Sequence, residues 1–309
     1  MKDVRIGIDL GGTTVKLGLF RGERLEEKWE IPTRKEQNGA FILGDIRDSI
    51  ESKLKEKAIG REEILGAGIG IPGPVDENGI VHSCVNLGWG TFSVEEALGS
   101  LLSMPVKAAN DANVAALGEL WQGGGRGYRD LVMITLGTGV GGGIILDGRI
   151  RAGCHGAAGE IGHMPVVYDE TECCNCGKKG CLEQAASATG IVRTAKRLLL
   201  ASDEPSALRK IENLTAKDIF DEAKKGDNIA NKAVERLGEY LGIAAAHIAG
   251  VIDPEIFVIG GGVSKAGEVL IRTVEKYYKE KVFKGSRDAV FALASLGNDA
   301  GIYGAARLI

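Results

Sequence analysis

Leu131-Val-Met-Ile-Thr-Leu-Gly-Thr-Gly-Val-Gly-Gly-Gly-Ile-Ile-Leu146 is an apolar segment interrupted by the turn Gly137-Thr138-Gly139. Apolar runs on both sides of a glycine turn predict a β-hairpin. The start of the chain follows the same pattern. Val4-Arg-Ile-Gly-Ile-Asp-Leu-Gly-Gly-Thr-Thr-Val-Lys-Leu-Gly-Leu-Phe20 turns at Gly11-Gly12-Thr13-Thr14. Superposing the two segments puts Leu10-Gly11 on Leu136-Gly137, and a charged turn follows each hairpin, at residues 21–24 and 147–149. This weak internal repeat predicts two similar α/β domains, each offering a glycine turn to a shared cleft. Consecutive backbone N–H groups at such a turn, with threonine hydroxyls beside them, make a concave anion site. Two facing sites of this kind suit a nucleoside triphosphate. Asp9, ending the first strand, is placed to hold magnesium through water. For either hairpin taken alone, a plain turn is the competing reading.

A second signal lies at Gly159-Glu160-Ile161-Gly162-His163 and Cys174-Asn-Cys-Gly-Lys-Lys-Gly-Cys-Leu-Glu183. Three thiolates and one imidazole, from His163, Cys174, Cys176 and Cys181, make a closed tetrahedral zinc site of the structural kind. Gly177 and Gly180 let the loop turn tightly enough to bring the sulfurs together. Cys173 competes with its neighbour Cys174 for the metal. Glu160 and Glu183 bracket the cluster, so a metal that folds the loop also aims these carboxylates. Cys84 and Cys154 read as small buried residues, and His247 as a packed or interfacial histidine.

The 309 residues are 44% hydrophobic, enough for two domains with their own cores. A net charge of -4 gives no sign of a nucleic-acid or anionic-membrane surface. The 46 glycines cluster in short groups inside apolar runs, as functional turns do. No signal peptide or membrane span is expected, so the location is read as cytoplasmic.

Between the hairpins, residues 40–57 have helical periodicity and 64–71 read as a strand running into Pro72-Gly73-Pro74. A strand from Pro105 ends at Asn110-Asp111, and a helix follows. Asp111 is then either an N-cap or a general base at the end of a sheet strand. Farther on, 182–200 read as one helix, 229–251 as a long helix, and strand 256–259 runs into Gly260-Gly261-Gly262. Close approach of a flat ring or a phosphate to backbone suits that corner. Residues 289–294 and 298–308 read as a last strand and helix.

Taken together, Asp-Leu-Gly-Gly-Thr at 9–13, Leu-Gly-Thr-Gly at 136–139, Glu-x-Gly-His at 160–163, C-x-C-G-x-x-G-C-x-E at 174–183 and the triple glycine at 260–262 resemble the ROK family of sugar kinases, most closely its glucokinases. The resemblance implies the two-domain actin/hexokinase-like (ribonuclease H-like) α/β fold with an active-site cleft between the domains. It implies an N-terminal domain over 1–117, a larger domain over 118–296 carrying the zinc loop 163–181, and a terminal helix (297–309) that returns to the first. Asp111 becomes the catalytic base for a hexose hydroxyl. Gly73, Asn110, Glu160, His163 and Glu183 would hold the sugar. Asp9, Gly11, Gly12, Thr13, Thr14, Gly137, Thr138 and Gly139 would hold the phosphates of ATP and its Mg2+, and Gly260–Gly262 the adenosine. His163, Cys174, Cys176 and Cys181 would bind structural Zn2+. The partners implied are sugar, ATP and further copies of the chain, as a dimer or tetramer. The double cysteine at 173–174 departs from the family pattern. Family members that act as repressors carry a helix-turn-helix before the first strand, and none is expected before Val4.

Overall fold

The computed structural model describes residues 2–309. The first sheet has strand order β3-β2-β1-β4-β7. β1 (Val4–Leu10), β2 (Thr14–Arg21) and β3 (Arg24–Pro32) form an antiparallel meander in which Leu10 pairs with Val15 and Asp9 with Lys16. β4 (Ile64–Ile71) and β7 (Val106–Asn110) continue it in parallel. β3 alternates half-buried and exposed residues, as an edge strand with one wet face does, whereas β1 and β4 are buried on both faces. Between β3 and β4 lie a one-turn segment α1 (Glu36–Gly39) and the helix α2 (Ile42–Glu56), whose Ile42, Ile46, Ile50 and Leu54 supply its buried stripe. β5 (Ile80–Val81) and β6 (Phe92–Ser93) pair as a small separate ribbon, and α3 (Val94–Leu102) leads into β7. α4 (Asp111–Gln122) starts directly where β7 ends.

The second sheet has order β10-β9-β8-β11-β12. β8 (Leu131–Leu136), β9 (Val140–Leu146) and β10 (Arg149–Ile150) correspond to the meander, and β11 (Ile256–Gly260) and β12 (Val290–Leu293) are the parallel extension. The two sheets therefore share one strand order, which is the repeat that the two hairpins announced. Residues 182–200, expected as one helix, break at Ser187 into α5 (Leu182–Ala186) and α6 (Ala188–Ala201). Ser187 caps α6 by accepting the Gly190 N–H, and Ala188 N–H donates to Gly137 O, so the break ties the chain to the glycine turn. α7 (Ala216–Lys224), the 25-residue α8 (Asn228–Ile252) and α9 (Glu268–Lys281) complete this core, in which Leu237, Leu241, Phe257 and Tyr278 are fully buried.

α10 (Ala300–Arg307) closes the chain by packing on β1, β4 and α4. A β-carbon on Gly7 would stand 2.0 Å from Ile302 O, one on Gly68 1.8 Å from Ala305 O, and one on Gly304 1.7 Å from Val114 O. Backbone lies directly on backbone here, and only glycine permits it. Much of the glycine excess is thus packing, not turns.

Two compact units result. One holds the residues up to Arg129, Gly143–Gly159 and Leu296–Ile309; the other holds Asp130–Gly142 and Glu160–Ser295. The boundary expected at 117/118 falls inside α4, which runs unbroken to Gln122. No helix among the described residues is long and apolar enough to cross a membrane.

Candidate functional site

In the first unit the β7–α4 corner carries Asn110 and Asp111. The N-cap is Asn110, whose Oδ1 accepts the N–H groups of Ala112 (3.0 Å) and Asn113 (3.2 Å). Its Nδ2 donates to Gly73 O and to Asp111 Oδ1, both at 3.0 Å. All four hydrogen-bonding positions of the amide are thereby used inside the protein. The alternative reading of Asp111 as the cap falls to its neighbour, and Asn110 is the group that fixes both Gly73 and Asp111. Asp111 Oδ1 also accepts the Ala112 N–H at 2.8 Å, which leaves Oδ2 for a ligand. Burial raises the Asp111 pKa and the charge of Asp9 adds to the effect, against the Ala112 N–H and the Asn110 amide.

The β1–β2 turn closes with Gly11 N–H on Thr14 O at 3.0 Å and leaves the Thr13 side chain exposed. Burial also raises the Asp9 pKa, opposed by Lys16, whose Nζ lies 3.9 Å from Asp9 Oδ2. Gly301 of α10 makes room for the same carboxylate, since a β-carbon there would meet Asp9 Cγ at 2.5 Å. Lys16 was not singled out in the sequence, although a hairpin that turns at 11–14 pairs it with Asp9.

In the second unit, Gly137 N–H donates to Gly139 O at 3.0 Å and Thr138 is exposed at the tip of the turn. The triple glycine lies against the root of this turn. Gly261 has φ +84°, and a β-carbon on it would stand 2.5 Å from Leu136 O; around Gly262 there is open space. Glu183 reaches the turn from α5. Its Oε2 accepts the Val140 N–H at 3.2 Å and occupies the place of a Gly139 side chain, while Cys174 Sγ donates to its Oε1 at 3.6 Å. A cavity of about 310 Å³ opens beside it, lined by Thr138, Gly139, Glu183, Thr189 and Arg193 among others.

One ligand atom each from His163, Cys174, Cys176 and Cys181 lies within 4.8 Å of the others. Tetrahedral zinc with bonds of about 2.3 Å to sulfur and about 2.0 Å to nitrogen requires ligand separations of roughly 3.5–3.8 Å. Cys176 and Cys181 sulfurs are 3.6 Å apart, and Cys174 Sγ is 3.8 Å from His163 Nδ1. The donor set fits the metal. Burial pushes the Cys181 thiol up to about 12, a state that a divalent cation among the sulfurs would reverse. Gly180, at φ +75°, would drive a β-carbon into Val167 O at 2.0 Å, so the loop needs glycine there. Cys173 is exposed, forms an antiparallel β-bridge with Lys179 and stands outside the cluster, which contains its neighbour Cys174.

Glu170 anchors the loop from below. Its side chain is 1% exposed and meets Arg193 at 2.7 Å and Arg197 at 3.0 Å, and these pairs hold its pKa down to about 2. Nothing in the local sequence marked this network. Glu160 is exposed at the start of a 3₁₀ turn and His163 is half-buried. Cys84 is buried as expected, but Cys154 is exposed, with Sγ 3.1 Å from His155 Nδ1 in an open loop; His247 is exposed on α8.

Residues 5–309 match the ROK family. The chain belongs to that family. A glucokinase of Halalkalibacterium halodurans is 42% identical, over 98% of this chain and 94% of the relative. Among solved structures, the ROK family glucokinase of Streptomyces griseus in complex with glucose and AMPPNP is 34% identical and superposes with a TM-score of 0.72, covering 99% of this chain and 98% of that one. The ROK hexokinase of Thermus thermophilus is 30% identical with a TM-score of 0.78, over 98% and 96%. The matched sheets are those of the two-domain actin-like sugar-kinase fold.

Proposed function

We propose that this chain transfers the terminal phosphoryl group of ATP to a hexose, with glucose and its 6-hydroxyl as the preferred acceptor. The observation that carries this reading is Asp111, a carboxylate fixed through one oxygen by Asn110 and Ala112 and raised in pKa by burial. A raised pKa brings a carboxylate closer to what general-base work at neutral pH requires. Asp111 accepts the proton of the attacking hydroxyl as the oxygen–phosphorus bond forms, and the leaving group is ADP.

Glu160, His163 and Glu183 are assigned to the remaining hydroxyls, with Gly73 backbone beside the sugar. Carboxylates and an imidazole suit vicinal hydroxyls, which both donate and accept. His163 turns Nδ1 to the sulfurs, so Nε2 is the nitrogen left for sugar. The Asn110 amide supports this reading by positioning Gly73 and Asp111. The turns at Gly11–Thr14 and Gly137–Gly139 are assigned to phosphates and Gly260–Gly262 to adenosine. Zinc held by His163, Cys174, Cys176 and Cys181 would supply a rigid frame for the loop, and magnesium held through Asp9 would neutralise phosphate charge. Phosphoryl transfer relies mainly on such positioning and charge stabilisation.

The test is hexose-phosphate formation over a panel of hexoses, with ATP and with polyphosphate as donor, read as kcat/KM. Glucose with ATP should rank first. ADP release that no sugar stimulates would overturn the reading, and a different leading hexose would correct the substrate.

A further inference from the structure

Outside the residues already assigned, a single ammonium group stands over the first glycine turn. Lys35 Nζ lies 3.7 Å from where a β-carbon on Gly12 would be. The segment that carries it is anchored on both sides. Thr33 N–H donates to Thr13 O at 2.9 Å, and its hydroxyl donates to Gly11 O at 2.8 Å. Arg34 is committed to Asp45, through Nε at 2.6 Å, and lies over the Phe41 ring. Beyond it, Gly39 N–H closes back on Lys35 O at 3.1 Å, and Gly39 O accepts the Trp89 indole N–H at 3.2 Å. Lys35 is thus held in place by its backbone, while no ion pair or side-chain hydrogen bond engages its ammonium among the described residues.

We propose that Lys35 is a substrate-binding residue that contacts the phosphoanhydride chain of the donor at the Gly11–Thr13 turn. The inference rests on the reading that this turn holds donor phosphates. A turn offers N–H groups to an anion but no full charge. Asp9, at the end of the strand that enters the turn, carries negative charge, and its partner Lys16 is already used by Asp9 and by Asn298 O at 3.1 Å. An ammonium above the turn supplies the missing charge-assisted bond to phosphoryl oxygen. Lysine acts there as a point charge on a flexible stem, so it can follow the phosphate as the donor settles.

The experiment titrates ATP and AMP into the parent protein, Lys35→Ala, Lys35→Gln, Lys35→Arg and, as a charge control, the exposed Lys55→Ala, by calorimetry, alongside steady-state kinetics. Loss of the Lys35 charge should weaken ATP binding about tenfold, raise the KM for ATP and leave the KM for glucose within about twofold. AMP binding should change much less, arginine should restore ATP affinity, and Lys55→Ala should match the parent. Lys35 is exposed and its ammonium has no partner among the described residues, so Lys35→Ala and Lys35→Gln should melt like the parent. ATP affinity unchanged in Lys35→Ala and Lys35→Gln would overturn the proposal. A parent that binds ATP but phosphorylates no hexose would instead defeat the kinase reading, and the ATP titration would still decide Lys35.

Discussion

Asn110 caps α4 with its oxygen and holds Asp111 Oδ1 at 3.0 Å with its nitrogen. The cap and the proposed base are therefore two residues, and they can be separated by mutation. Asp111→Asn keeps shape but cannot accept a proton. Its kcat should fall at least about a hundredfold, with sugar affinity changed far less. Because Asn110 does the capping, the melting temperature should hardly move. Asn110→Ala should cost about 1 kcal/mol of stability as a lost cap and should also lower kcat by releasing Asp111. On the proposed mechanism activity needs ionised Asp111, and burial raises its pKa above that of an ordinary aspartate. The acid limb of kcat/KM should lie at higher pH than for an ordinary aspartate. Near-normal turnover in Asp111→Asn would return the search for the base to Glu160.

The parts legible in sequence were those with local patterns. The two hairpins and the C-x-C-x4-C run each lie within a short window, so turn chemistry and ligand count suffice to place them. The seat of α10 is different. Gly7 and Gly68 meet Ile302 and Ala305 from the far end of the chain, and nothing near either glycine says what it will touch. The Ser187 break did have a local signal, the cap residue Ser187 three positions before Gly190, but the bond from Ala188 N–H to Gly137 O that ties it to the turn comes from far along the chain. Lys35 was not marked in the sequence, because its place beside the turn comes from Thr33 bonding to Gly11 and Thr13. Asp111 was placed at its corner correctly, but the division of labour with Asn110 depends on which side chain points back at the helix.

Metal content should be one zinc per chain, measured on protein purified without chelator. Cys176→Ala should lose the metal and destabilise the protein, because binding to this loop is coupled to its folding. Cys173→Ser should keep both metal and stability, since Cys173 is exposed and outside the cluster. Zinc retained in Cys176→Ala, or lost in Cys173→Ser, would contradict the ligand set.

Glu170 makes a statement about acid stability. Its pKa is depressed from 4.5 to about 2 by Arg197 and Arg193. The stabilisation is fully present above the unfolded value and is lost as pH falls from about 4.5 towards 2. Allowing for Arg197 being about half exposed, its size is on the order of 2 kcal/mol. Glu170→Gln should lower the melting temperature at pH 7 and flatten its decline below pH 4.5. An equal decline in parent and variant would mean the pair contributes little.

Glu160 and Glu183 bracket the zinc loop but should answer differently to amide substitution. Glu160 is exposed, and no described group bonds its side chain. Glu160→Gln should therefore act on sugar alone, raising its KM with little change in the KM for ATP. Glu183 is already engaged. Its Oε2 accepts from Val140 N–H and fills the space above Gly139, and its Oε1 accepts from the zinc-loop Cys174. The carboxylate thus joins the zinc loop to the turn assigned to phosphate. With Cys174 bound to zinc as a thiolate its sulfur donates nothing, so the loss in Glu183→Gln falls on the turn, where a charge-assisted bond from Val140 N–H becomes a neutral one. The cost is about 1 kcal/mol. Glu183→Gln should raise the KM for ATP as well as for sugar and lower the melting temperature, with the two KM effects appearing together. If only the sugar KM rises and stability is unchanged, Glu183 serves the sugar alone, and its contact with the turn is incidental.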